Sequence, residues 1–190
     1  MISPLPAETA LILIDVQKAI DHPDWGERNN LGAEANMAAL LDAWRRTGRP
    51  IYHVRHDSVE PASHYRPGQP GNDFKPQTRP EPGETIIVKH TNSAFIGTGL
   101  ESLLRAAGHF TLVVAGVITN NSVEATVRMA GNLGFRTYLA EDAAFTFGRC
   151  DWDGRLRTAG EVHAMSLANL DGEYCTVVRT GDVLQAIESQ

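Results

Sequence analysis

The chain has 190 residues, of which 42% are hydrophobic and 21% are charged, a composition typical of a globular domain. The net charge of -6 argues against a broad nucleic-acid surface. No apolar run approaches the roughly 20 residues of a membrane span, and the first residues lack the basic start of a secretory signal. Cys150 and Cys175 supply neither a disulfide framework nor metal-ligand spacing. We expect one domain over residues 1–190, located in the cytoplasm, without nucleic-acid or membrane partners.

Short apolar runs typical of buried parallel strands alternate with helical patterns along the chain. The predicted strands cover residues 10–14, 51–54, 85–88, 112–115, 137–140 and 176–178. The predicted helices cover residues 32–47, 99–107, 122–133, 158–170 and 182–188. This alternation predicts an α/β three-layer sandwich, in which a mostly parallel six-stranded sheet carries helices on both faces.

The segment 56–83 interrupts the alternation, because it is rich in proline, glycine and polar residues. It is too long for an ordinary connection between a strand and the next element. Segments of this length in compact domains are either functional covers or disordered. The sequence leaves both interpretations open.

The stretch 113–135, VVAGVITNNSVEATVRMAGNLGF, predicts a strand that breaks at Gly116 and a helix that begins at about Ser122. The first N–H groups of a helix have no internal partner, and that end of the helix is electropositive. A nucleophile or a developing oxyanion is stabilised in such a place. The corner between strand and helix therefore predicts an enzyme site.

Three reactive side chains follow predicted strands. Asp15 ends the first strand, Lys89 ends the third, and Ser122 follows the fourth across the Gly116 turn. Ligands of open parallel sheets bind beyond the carboxyl ends of the strands, so these side chains share one rim. Taken singly, Asp15 and Ser122 also fit helix N-caps and Lys89 fits a solvated strand end. Together they predict a catalytic group.

Four segments carry a resemblance to a known family: ALILIDVQ (10–17), TIIVKHTNSAFIGTGLESLL (85–104), GVITNNSVEATVRMAGNLGF (116–135) and YLAEDAAFTF (138–147). The chain resembles the isochorismatase-like hydrolase superfamily, in its branch of cysteine hydrolases and amidohydrolases. The resemblance implies the strand order 3-2-1-4-5-6 and cofactor-free hydrolysis of a C–N bond in a small amide, carbamoyl or ureido compound. It also implies a homodimer or homotetramer.

The resemblance further implies a catalytic triad of Asp15, Lys89 and the residue at position 122. A cis peptide between Val117 and Ile118 is implied as well. It would direct the N–H groups of Ile118 and Ser122 into an oxyanion hole. In the cysteine hydrolases the aspartate takes the thiol proton and the lysine favours the thiolate, which attacks the amide carbon.

The chain departs from this pattern at the nucleophile, because Ser122 stands where the amidohydrolases have cysteine. Three interpretations are open. The serine is an introduced Cys→Ser substitution that traps substrate, or the chain is a natural serine enzyme with Asp15 as base. In the third, the chain is like the true isochorismatases, which hydrolyse a vinyl ether without a covalent nucleophile, with the aspartate as general acid. A catalytically inactive, ligand-binding homologue is a further alternative.

Two other departures concern the substrate and metal sites. Asn121 stands where relatives often have histidine. Nicotinamidases of the superfamily bind a metal through an Asp-x-His…His pattern after the second strand, and residues 55–58 with His64 lack that spacing, so we expect no metal. The expected substrate contacts, for which surface loops or core packing are the alternatives, are Trp25, Arg28, Asn29, Asn30, His56, Asn92, Phe95, Val117 and Asn121.

Overall fold

The structure, a computed structural model, describes residues 2–188, and a six-stranded sheet forms its centre. The strands are β1 (Ala10–Ile14), β2 (Ile51–His56), β3 (Thr85–Lys89), β4 (Thr111–Val117), β5 (Arg136–Phe145), β6 (Arg149–Cys150), β7 (Leu156–Arg157) and β8 (Thr176–Val178). The sheet has the order β3-β2-β1-β4-β5-β8, and each neighbouring pair is parallel. The predicted α/β sandwich and its strand order are confirmed, with β8 as the sixth strand.

The helices cover both faces of the sheet. They are α1 (Ala33–Thr47), α2 (Leu100–Ala106), α3 (Glu124–Asn132), α4 (Ala159–Leu170) and α5 (Thr180–Glu188). Side chains alternate along a strand, so Leu11 and Leu13 of β1 pack in the core with α1 and α5, whereas Ile12 and Ile14 pack with α2, α3 and α4. None of the helices in residues 2–188 is long and apolar enough to cross a membrane.

The sequence does not predict the antiparallel pair of β6 and β7. Each of these strands has only two residues, Arg149–Cys150 and Leu156–Arg157, and two residues are too few to show alternation. The pair lies between β5 and α4 in the chain. It makes the sixth strand of the main sheet the eighth along the sequence.

The corner after β4 also differs from the prediction. The strand does not break at Gly116 but continues to Val117, and a π-helical turn, Thr119–Val123, precedes α3. Gly116 has φ +127, and a Cβ atom there would lie 2.6 Å from the backbone N of Ile14. Only glycine therefore allows β4 to pair this closely with β1 beside the predicted catalytic residues.

Most of the long segment after β2 is folded against the residues that follow β1. Gln17 Nε2 donates hydrogen bonds to the carbonyl oxygens of Asn72 (2.9 Å) and His56 (3.1 Å). The backbone N–H of Lys18 donates to Asp73 O (2.8 Å), and that of Lys75 donates to Val16 O (3.0 Å). Residues 56–83 therefore form an ordered cover segment next to the carboxyl end of β1, not a disordered loop.

Candidate active site

The three predicted catalytic side chains meet at the carboxyl ends of their strands. Asp15 directly follows β1, Lys89 is the last residue of β3, and Ser122 lies in the π-helical turn after β4. Lys89 Nζ donates to Asp15 Oδ2 at 2.6 Å, to Ser122 Oγ at 3.2 Å and to Thr91 O at 3.0 Å. Because β2 separates β3 from β1, the long lysine side chain is what spans this distance.

This group is nearly inaccessible to solvent, with Lys89 0% and Asp15 3% exposed. Burial raises the pKa of the Asp15 carboxyl, and the Lys89 ammonium and the Ser122 hydroxyl offset only part of this effect. The second carboxyl oxygen, Oδ1, has no hydrogen-bond partner of standard geometry within residues 2–188. Asp15 therefore has one oxygen fixed by Lys89 and one available for proton exchange.

A cavity of about 410 Å³ opens over the group. Asp15 and Ser122 both line it. Six of the other predicted residues also line it, namely Trp25, His56, Asn92, Val117, Ile118 and Asn121. The remaining lining residues were not predicted and come from the loop after β1 and the cover segment: Asp24, Glu60, Ala62, Ser63, His64 and Tyr65. The only signal for this wall in the sequence was the unusual length of the segment 56–83.

His56 brings a neutral imidazole to the cavity. Burial and, next, the Lys89 ammonium lower the pKa of His56 to about 4. Its Nδ1 lies 3.4 Å from Lys89 Nζ, and its ring packs edge-on against Tyr65 with centroids 5.7 Å apart. At neutral pH this residue adds a hydrogen-bonding group without adding charge.

The turn between β4 and α3 presents its backbone to the same cavity. The peptide bond between Val117 and Ile118 is cis. Ile118 O accepts hydrogen bonds from the N–H groups of Asn121 (3.0 Å) and Val123 (3.3 Å), which fixes the turn. The oxyanion hole of Ile118 and Ser122 N–H groups stays a prediction.

Arg28 does not line this cavity. Its guanidinium donates to both carboxylate oxygens of Glu34, at 2.6 and 2.7 Å, and lies 3.9 Å from the centre of the Phe145 ring. Glu34 also accepts a hydrogen bond from Lys75 at 2.8 Å. Arg28 thus pairs with Glu34 of α1, which also pairs with Lys75, and packs on a ring of β5; its contact with a substrate stays a prediction.

Asn29, Asn30 and Phe95 are likewise outside the cavity. Asn30 Nδ2 donates to the carbonyl oxygens of Glu141 (2.9 Å) and Ala144 (2.7 Å), and Asn29 Oδ1 accepts from the backbone N–H of Thr146 (2.8 Å). These contacts tie the loop after β1 to β5 and to the residue that follows it. Phe95 is buried in the core against Phe135, with ring centroids 5.8 Å apart. Phe95 thus has the core position that was the alternative to a substrate contact for this residue.

The residues after β2 are engaged in contacts within the protein. The Asp57 carboxylate accepts from Arg55 Nε at 2.9 Å and Nη2 at 3.1 Å, and from Asn72 Nδ2 at 3.0 Å. Asp57 therefore has its oxygens occupied by neighbours, and the nicotinamidase-type ligand pattern is not formed there. Among residues 2–188, a potential ligand group lies elsewhere, at His22, Asp24 and His64, of which Asp24 and His64 line the cavity.

Comparisons with known proteins agree with this fold. A family model of the isochorismatase domain matches residues 9–181. The crystal structure of a protein from Chromobacterium violaceum, described as a hydrolase of the isochorismatase family, is 63% identical and has a TM-score of 0.96, with 100% of both chains covered. An uncharacterized isochorismatase family protein of Bacillus subtilis, YrdC, is 42% identical over 92% of this chain and 94% of its own.

A more distant relative has a name that states a reaction. The ureidoacrylate amidohydrolase RutB of Agrobacterium fabrum is 28% identical to this chain, covering 75% of it and 78% of RutB. The family match itself extends over most of the chain, from before β1 to the start of α5. This protein therefore belongs to the isochorismatase family of hydrolases.

Proposed function

We propose that this protein hydrolyses a C–N bond in a small amide, carbamoyl or ureido compound, with Asp15, Lys89 and Ser122 as its catalytic residues. The observation that carries the proposal is the position of Lys89 Nζ, 2.6 Å from Asp15 Oδ2 and 3.2 Å from Ser122 Oγ, in a nearly inaccessible group beneath a cavity. The relationship to an amidohydrolase supports the same class of substrate.

The mechanism follows from the hydrogen bonds of Ser122. Its Oγ accepts from Lys89, so its own proton remains available for transfer to the Asp15 carboxylate. Oγ then attacks the carbonyl carbon, and the tetrahedral intermediate collapses as Asp15 returns the proton to the leaving nitrogen. Water, deprotonated by Asp15, hydrolyses the resulting ester at Ser122 and restores the hydroxyl. Lys89 stabilises the carboxylate through its hydrogen bond to Asp15 Oδ2.

A second candidate is general-acid hydrolysis of a vinyl ether, in which Asp15 protonates the substrate and Ser122 forms no covalent bond. Two observations favour it. A hydroxyl is a weaker nucleophile than a thiol, and burial raises the pKa of Asp15, so the carboxyl holds a proton more readily. The two candidates require opposite protonation states of the same carboxyl.

Activity is to be measured on panels of small amides, carbamoyl and ureido compounds, and vinyl ethers, with intact-mass analysis of the protein during turnover. Amide hydrolysis predicts a mass adduct on Ser122, loss of turnover in Ser122→Ala, and a rate that rises with pH as Asp15 loses its proton. The matched control is Ser102→Ala, which removes an exposed hydroxyl from α2 and is expected to leave the rate unchanged.

The alternatives give different results. Vinyl-ether hydrolysis predicts that Ser122→Ala remains active, that no adduct forms, and that the rate falls as pH rises. If the protein only binds a ligand, neither the wild type nor Ser122→Cys is expected to turn over any of these amides, carbamoyl and ureido compounds or vinyl ethers. Full activity of Asp15→Asn would contradict both catalytic candidates.

A further inference from the structure

A second group of polar side chains lies on the wall of the cavity, apart from the catalytic residues. Asp24 Oδ2 is 3.2 Å from His22 Nδ1 and 3.3 Å from His64 Nε2. One ligand atom from each residue lies within 4.8 Å of those of the other two. His22 and Asp24 follow β1, and His64 belongs to the cover segment, so the fold brings the three together from distant parts of the chain.

The separations of the oxygen from the two nitrogens are close to those of ligands on a zinc ion, which the two rings reach by rotating. Zn²⁺ binds imidazole nitrogen at about 2.0–2.1 Å and carboxylate oxygen at about 2.0–2.2 Å, so two tetrahedral ligand atoms are about 3.3–3.5 Å apart. The measured separations of the carboxylate oxygen from the two nitrogens lie at or just below that range. Two histidines and one carboxylate are also a donor set that zinc uses when its fourth position is open.

We propose that His22, Asp24 and His64 form a Zn²⁺ site on the rim of the cavity, with one coordination position open to it. Asp24 and His64 line the same cavity as Ser122. The cavity therefore gives a carboxylate or carbonyl oxygen of a bound molecule room to take the open position. This site is separate from the residues after β2, because its first two ligands come from the loop after β1.

The backbone that carries the first two ligands is fixed independently of any ion. His22 and Asp24 lie at two consecutive 3₁₀ turns, Lys18–Asp21 and Pro23–Trp25. Trp25 Nε1 donates to Ala19 O at 2.9 Å, which holds the second turn on the first.

The backbone around His64 is fixed by contacts within the cover segment. Ser63 O accepts a hydrogen bond from Gln69 Nε2, and Tyr65 O accepts one from Asn72 Nδ2, both at 2.8 Å. The carbonyl of His64 lies against Gly71, where a Cβ atom would collide with it. The ligand-bearing segments are thus held in place before binding, which lowers the ordering cost of forming the site.

The side chains themselves have room to adjust. The rings of His22 and His64 are stacked, with centroids 3.5 Å apart and planes 18° apart. Their lone pairs meet at one ion only if the rings rotate out of this stack, since lone pairs lie in the ring planes. The side chains of His22, Asp24 and His64 are 36%, 75% and 36% exposed, so the rotation displaces no buried group. One long hydrogen bond, from Asp24 N to His22 Nδ1 at 3.3 Å, is lost.

The test is a titration of the full chain, free of any affinity tag and treated with a chelator, with Zn²⁺ alone. Calorimetry or competition with a chromophoric chelator is expected to give one equivalent per chain, and Co²⁺ is expected to give the visible absorption of a four-coordinate site. His22→Ala and His64→Ala are each expected to weaken binding by more than about 10-fold, since even losing a group that orients a ligand costs that much. The matched control is His90→Ala, which removes an exposed histidine outside the cluster and is expected to bind like wild type.

Two results would overturn the site. One is the absence of stoichiometric Zn²⁺ binding by the folded wild type, which would leave the cluster as a contact between the two imidazoles and Asp24 without an ion. The other is unchanged affinity in both His22→Ala and His64→Ala, which would place the ion elsewhere. Circular dichroism checks that these surface variants are folded. Because occupancy is the readout, the result does not depend on whether the protein hydrolyses any amide.

Discussion

Replacing Lys89 by methionine tests the electrostatics of the catalytic group directly. Lys89→Met keeps the length of the side chain but removes the ammonium that donates to Asp15, Ser122 and Thr91. The carboxyl of Asp15 then remains at 3% exposure without its cation. Removing one partner of a buried ion pair costs about 3–5 kcal/mol. We expect the free energy of unfolding at pH 8 to fall by an amount in that range.

The loss is expected to depend on pH, with a sign set by Asp15. Burial is the largest influence on this carboxyl and raises its pKa above the ordinary value of 3.8, and without Lys89 nothing comparable opposes it. When a carboxyl has a higher pKa in the folded than in the unfolded protein, its contribution to folding stability is fully present below the unfolded pKa. This contribution is lost as pH rises through the folded pKa, because the buried group must then become charged. Lys89→Met should therefore be closer to wild type in stability at pH 5 than at pH 8.

Urea unfolding of wild type, Lys89→Met, Asp15→Asn and the double variant provides the measurement. The double variant lacks both charges of the Asp15–Lys89 pair, so its loss should be smaller than the sum of the single losses by about 2 kcal/mol or more. Additive losses, together with a Lys89→Met deficit that is equal at pH 5 and pH 8, would refute the description of this group as a coupled buried pair.

Two further predictions concern residues that position the site. Although burial opposes the shift, hydrogen bonds from Arg28 and Lys75 lower the pKa of Glu34 to about 2. The ionised carboxylate therefore stabilises the fold above pH 4.5, and this stabilisation is lost as pH falls through 2. Glu34→Gln should lower the free energy of unfolding by about 1–2 kcal/mol at pH 7, allowing for solvent screening, and by little at pH 2. Urea unfolding at the two pH values measures the difference. Gly116→Ala should cost more than about 3 kcal/mol or prevent folding, because its Cβ atom meets the backbone of Ile14. Normal thermal unfolding of this variant would contradict the close approach of β4 to β1.

The proximity of Asp15, Lys89 and Ser122 could be predicted because it depends on strand ends, and strand ends are visible in the sequence. The apolar runs before Asp15 and Lys89 each stop at the reactive residue, and parallel strands place their carboxyl ends on one edge. The run before Ser122 ends less sharply. Gly116 suggested a break. The strand passes through it and keeps its pairing with β1, while its register with β5 shifts between Val114 and Gly116.

The cavity wall formed by the loop after β1 and the cover segment could not be predicted, because it depends on contacts between distant segments. Asn30 shows the difficulty, because it was expected in the cavity and lies outside it. Its partners, the carbonyl oxygens of Glu141 and Ala144, are 111 and 114 residues away in the sequence. A polar side chain in a loop beside a site gives the same local signal whether it contacts a substrate or ties the loop to a strand. The same holds for Asp24 and His64, whose proximity depends on how the cover segment folds.

The burial of Lys89 is the strongest physical argument that this cavity is a site of chemistry. A buried ion pair adds little stability compared with apolar side chains of the same volume, because the desolvation of both charges offsets their attraction. Lys89 is fully buried, and its Nζ is within hydrogen-bond distance of a carboxyl and a hydroxyl that both line the cavity. Apolar residues at both positions 15 and 89 would satisfy the core equally well. The proposed proton exchange between Asp15 and a molecule in the cavity gives this cation a role, because it requires a charged partner for the carboxylate.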